Sequence, residues 1–155
     1  MTPRTLFPAL ARAEAVTWAL LLLGMVLKYV TRTTALGVSV FGLVHGVVFL
    51  AYVLVTVLVW VDQRWSWRLG LVALAAALPP FATVWAERRV ERADALGHTW
   101  RLAPGGEAPR HVGEHVLARA LARPVLAAVV GGALVLLVTA ALLVIGPPSP
   151  PGSGA

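Results

Sequence analysis

The chain of 155 residues has no cysteine, few charges (13% of residues) and one lysine, Lys28, among its 13 basic side chains. Without cysteine there is no disulfide-stapled secreted domain, no thiolate nucleophile and no cysteine zinc site. The shortage of charge matters more. A soluble domain carries roughly 25% charged and 45–50% apolar residues, whereas 59% of this chain is hydrophobic. One small core cannot hide that surplus, so the composition places the chain in a lipid bilayer. The net charge of +6 is interleaved with acids, so no nucleic-acid partner is expected.

Uncharged runs define the spans. Ala15–Leu27 has 13 residues, short of the roughly 20 that cross a hydrocarbon core. Extension to Pro8–Val30 supplies the rest if Glu14 lies near one mouth and Lys28 and Tyr29 snorkel at the other. No small-residue cleavage pattern follows Leu27, so this run reads as a span and not as a signal peptide. Thr33–Val61 is uncharged over 29 residues. Leu69–Ala86 is a third span, interrupted by Pro79-Pro80, which remove donors and kink the helix. Pro124–Ile145 is the fourth and most regular, with 22 residues. The expected fold class is an all-α integral membrane bundle of four transmembrane helices. It divides into a three-span core (1–92), a polar loop with an amphipathic segment (93–123), a fourth helix (124–146) and a Pro, Gly and Ser-rich tail (147–155) predicted to be disordered.

For a four-span chain, Lys and Arg divide as four on the side of the N-terminus and second loop (Arg4, Arg12, Arg64, Arg68) and nine on the other. The positive-inside bias then puts the third loop in the cytoplasm and both termini outside.

Ionisable groups inside a span cost about 2.5–3.5 kcal/mol on insertion scales, which singles out Glu14, Lys28 and His45. Glu14, Thr17, Leu21 and Lys28 share one helix face, yet Glu14 and Lys28 are about 21 Å apart along the axis and cannot pair. Lysine can lose its proton on burial and arginine cannot, so a lone lysine at this place is a candidate. His45 shares a face with Phe41, Phe49 and Tyr52, between Gly42 and Gly46, whose G-x-x-x-G spacing lets a neighbouring helix approach. Gly131 and Gly132, each four residues after an alanine, offer similar packing faces on the last helix, where Thr139 is the only hydrogen-bonding side chain.

The polar loop contains His111-Val-Gly-Glu114-His115, the H-x-x-E-H order of inverted zinc peptidases. No carboxylate or His follows His115 to complete such a site, and Gly113 interrupts the helix it needs. No metal, cofactor or enzymatic activity is expected from it. Glu114–Arg123 reads as an amphipathic run, with Val116, Leu117, Ala120 and Leu121 facing the membrane and Arg119 and Arg123 presented to anionic lipid.

Glu14 with Thr17, Met25 before Leu27-Lys28-Tyr29, Gly42-Leu-Val-His45-Gly46 with Phe49 and Tyr52, and Pro80-Phe81-Ala-Thr83 before Glu87-Arg88-Arg89 together resemble a family of small bacterial integral membrane proteins, domain of unknown function 3817. The likeness covers about residues 9–92. Ala15 and Val26 depart from it, where the family tends to have Gly and Pro. The resemblance implies a three-span unit, so the fourth span is an addition. It supplies no activity, but it groups Glu14, Lys28, His45 and Tyr52 as one set. The leading expectation is a non-catalytic interaction or accessory subunit of the bacterial inner membrane, with a homo-oligomer or another membrane protein as partner. The alternative is a small oligomeric transporter or proton-coupled carrier that uses those four residues.

Overall fold

A computed structural model describes residues 1–145, and the regular structure among them is entirely helical. The tail predicted to be disordered lies outside the described residues.

Helix α1 (Pro3–Met25) opens with proline in its first turn, where the missing N–H costs nothing. The Thr2 N–H donates to Thr5 Oγ1 at 3.0 Å. The helix continues as one π-helical turn, Val26–Val30. Thr31 N–H closes that turn by donating to the Val26 carbonyl, five residues back, at 3.0 Å. Helix α2 (Leu36–Gln63) returns antiparallel to α1. A Cβ on Gly24 would stand 2.8 Å from the carbonyl carbon of Gly37. The two backbones therefore touch, and only glycine fits at Gly24.

The third predicted span divides into α3 (Trp67–Ala75) and α4 (Ala82–Arg92). Ser66 caps α3, its hydroxyl accepting from Leu69 N–H at 3.3 Å. Between the helices, Ala76, Ala77 and Leu78 donate to carbonyls of the last turn of α3, Pro79 and Pro80 have no N–H to satisfy, and Phe81 takes a left-handed conformation at φ 63°. That conformation reverses the chain instead of kinking it. Tyr52 bonds Ala73, Thr83 meets Ala11 and Glu14, and Val90 joins the cluster around Phe7 and Trp65. Helix α3 therefore enters alongside α2, and α4 comes back out beside α1. Nine residues of α3 rise about 13 Å, less than half of a hydrocarbon core about 30 Å thick.

Helix α5 (Val112–Ala122) leads into α6 (Pro124–Ile145), which packs on α2. Among the described residues, three helical segments, not the expected four, are long and apolar enough to cross a membrane: Pro3–Val30, Leu36–Gln63 and Pro124–Ile145.

The hairpin changes which segments share an end. Trp100 Nε1 donates to the Met1 carbonyl at 2.8 Å, Arg4 to His98 Nε2 at 2.8 Å, and Trp65 Nε1 to the Ala95 carbonyl at 2.7 Å. The N-terminus, the 64–66 turn and the polar loop thus meet at one end of the bundle. The four-against-nine division of basic residues fails, because it assumes that every apolar run switches sides. Only Lys28 and Arg32 belong to the far end, leaving eleven of 13 with the segments at the N-terminal end. The amphipathic run is also corrected in part. Leu117 is buried against the bundle, whereas Val116 is exposed.

Candidate functional site

Three helices, α1, α2 and α4, bring polar side chains into one layer about half-way along α1, and α3 adds a backbone carbonyl. Glu14 is completely buried. Its Oε2 accepts from the Thr83 hydroxyl at 2.6 Å, and that hydroxyl also lies 3.0 Å from the Ala11 carbonyl. One turn along α1, the Thr17 hydroxyl donates to the Glu14 carbonyl at 2.9 Å and lies 3.1 Å from His45 Nδ1. A hydroxyl has one proton. With it directed at the Glu14 carbonyl, His45 carries its own proton on Nδ1 and donates it to Thr17. The imidazole packs against Trp18 and Phe49, with ring centroids 4.5 and 6.3 Å away.

Tyr52 completes the layer. Its buried hydroxyl donates to the Ala73 carbonyl at 2.8 Å and so fixes α3 against α2. Arg12 donates through Nε to Glu87 Oε1 at 3.0 Å, tying α1 to α4. The Tyr52 and Arg12 contacts both cross between helices. Glu14 Oε1 and Trp18 Nε1, four residues apart on α1, are the buried side-chain polar atoms without a hydrogen-bond partner among the described residues.

Lys28 does not join Glu14, His45 and Tyr52. It lies in the exposed π-helical turn, its Nζ 5.0 Å from the Tyr29 ring centroid. The glycines also separate. Gly42 faces Leu21 of α1 at 3.8 Å and Gly131 faces Leu54 of α2 at 3.4 Å, both measured from an added Cβ, while Gly46 and Gly132 have nothing within 4 Å. Sequence spacing overlooked Gly24 and Gly37, where the backbones of α1 and α2 approach more closely than at Gly42. Their positions are symmetrical about the turn that joins the two helices, a signal of antiparallel register.

A second polar cluster, also overlooked, closes the N-terminal end. Asp62, fully buried in the last turn of α2, accepts from the N–H groups of Arg101 at 3.0 Å and Leu102 at 3.1 Å. Glu114 accepts from the Arg110 N–H at 2.7 Å, from Arg101 at 2.5 Å and from Arg64 at 3.2 Å. The Arg110 N–H foremost, and then the two guanidinium groups, outweigh burial and hold the Glu114 carboxyl down at about 2. The His111-x-x-Glu114-His115 motif therefore serves as a helix start. His111 caps α5, its Nδ1 accepting from Glu114 N–H at 3.4 Å, and the Glu114 carboxylate turns inward to arginine. No group of three or more His, Asp or Glu gathers for a metal among the described residues.

Long apolar helices joined by buried polar contacts define a helical, multi-pass membrane protein. The chain belongs to the family described as domain of unknown function DUF3817, whose profile matches residues 4–92. It is also similar to the provisionally named membrane protein SCO5905 of Streptomyces coelicolor, at 52% identity over 89 residues. That match covers 53% of this chain but 10% of the relative. No solved structure matches the chain.

Proposed function

We propose that the chain is a non-catalytic accessory subunit of the bacterial inner membrane, in which α1–α4 form a fixed anchor and α6 offers the docking face. One observation carries this reading: the buried polar groups of α1–α4 bond to one another across helices, as in Thr17 to His45, Tyr52 to Ala73 and Thr83 to Glu14. Such contacts hold helices in place. By contrast, Gly132 faces open space, which suits a closely approaching helix from a second copy or another membrane protein. The relative supports the idea of a module, since the matched stretch is a tenth of a much longer membrane protein.

In this reading α3 and α4 form a re-entrant hairpin in place of a crossing. The end rich in arginine then faces the cytoplasm by the positive-inside bias. This places the N-terminus inside and the end of α6 outside. Arg119 and Arg123, both exposed, meet anionic headgroups at the inner surface.

The carrier alternative is favoured by the free Glu14 Oε1 and Trp18 Nε1, which leave a buried carboxyl oxygen available to a proton or solute. Flux assays on reconstituted protein separate the two. The accessory reading expects no proton or solute flux above protein-free vesicles. Flux that Glu14→Gln or His45→Ala abolishes would establish the carrier instead.

A further inference from the structure

Outside the polar layer, the hairpin encloses a groove of about 880 Å³ between α3 and α4. Arg68 reaches it from α3, and Arg88, Arg89 and Arg92 from α4. None of the four has a carboxylate partner among the described residues. Toward the hairpin tip the lining becomes apolar, through Val72, Val84 and Phe81. Exposed tryptophans flank it. The Arg68 guanidinium lies over the Trp67 ring at 5.4 Å and that of Arg89 over Trp85 at 5.6 Å.

We infer that this groove is a binding site for one anionic phospholipid. Charge complementarity selects the headgroup, because four arginines without carboxylate partners among the described residues line one groove and guanidinium groups match a phosphodiester with paired N–H donors. The order of the lining selects a lipid over a free anion. Arginine and tryptophan stand where interfacial residues belong, and the apolar half continues inward at the depth of an acyl chain. The site rests on the arginine-rich end lying at a membrane surface, and it is independent of whether the chain is an accessory subunit.

The test is titration of the purified full chain in detergent with dioctanoyl phosphatidylglycerol, read by tryptophan fluorescence and native mass spectrometry. Saturable binding of one lipid is expected, weakened at least tenfold in the double variant Arg68→Gln/Arg92→Gln. Arg32→Gln/Arg110→Gln removes the same charge elsewhere and is expected to bind as wild type. Val84→Trp fills the apolar half without touching charge and is expected to weaken binding by a similar factor, a reading independent of the arginine variants. Equal binding of dioctanoyl phosphatidylcholine, unchanged affinity in the groove variants, or displacement by millimolar inorganic phosphate alone would each overturn the assignment.

Discussion

Residues 4–92 and helix α6 both contribute helices apolar enough to cross a membrane, yet they are built on different physics. Within the first region, backbone contact at Gly24, a buried carboxyl on Thr83 and a tyrosine hydroxyl on Ala73 join four helices. In α6 the one hydrogen-bonding side chain, Thr139, bonds its own helix, donating to the Val135 carbonyl at 2.8 Å. Only 6% of the most apolar stretch of α6 is buried inside the chain, against 28% and 22% for the spans of α1 and α2. Hydrophobicity puts a helix into lipid but does not hold it against its neighbours. Close packing and buried polar contacts do that.

The largest test of this contrast is steric. Gly24→Leu drives a side chain into the backbone of α2, and overpacking of this kind costs about 1–3 kcal/mol or more. Loss of folded protein is expected, read as aggregation in size-exclusion chromatography and a lower Tm, while Gly132→Ala on α6, whose Cβ would meet no atom of the chain, leaves the Tm unchanged. Next, Thr83→Val strands the Glu14 carboxyl oxygen and is expected to cost about 1–3 kcal/mol, read as a lower Tm in detergent. Adding Glu14→Leu removes the stranded acceptor as well and is expected to recover part of that loss.

Glu114 sharpens the comparison through pH. Its folded-state value of about 2 lies below its ordinary 4.5, so the unfolded chain binds the proton first. The stabilisation is complete above about pH 4.5 and is lost as pH falls toward about 2. Wild type is therefore expected to lose thermal stability between pH 5 and pH 3, and Glu114→Gln to show a shallower slope. The smallest effect belongs to α6. Thr139→Val is expected to change Tm by an amount equivalent to less than about 0.5 kcal/mol, since it breaks no contact between elements.

Much of this was legible in the sequence. Hydrophobic runs located α1, α2 and α6, and spacing put Thr17 with Glu14 on one face of α1 and Tyr52 with His45 on one face of α2. Pro79-Pro80 marked a break correctly, but a proline pair does not say whether the chain continues or turns back. The answer depended on Phe81 adopting a left-handed conformation and on Thr83 finding Glu14, both tertiary facts. Lys28 was grouped with the others by family pattern, although half the length of α1 separates it from them. The Asp62, Arg101 and Glu114 cluster was invisible for the same reason: its members are far apart in sequence, and loop charges ordinarily belong to water.

The central claim is that the α3–α4 hairpin returns to the side it left. The cysteine-free chain allows a direct test in cells with a membrane-impermeant maleimide, using the single reporters Thr5→Cys, Ala35→Cys and Ala108→Cys. Thr5→Cys and Ala108→Cys are expected to be protected in intact cells and labelled in inverted vesicles, with Ala35→Cys showing the reverse. Labelling of Thr5→Cys and Ala108→Cys from opposite faces would mean that residues 67–92 cross the membrane, and would contradict the account.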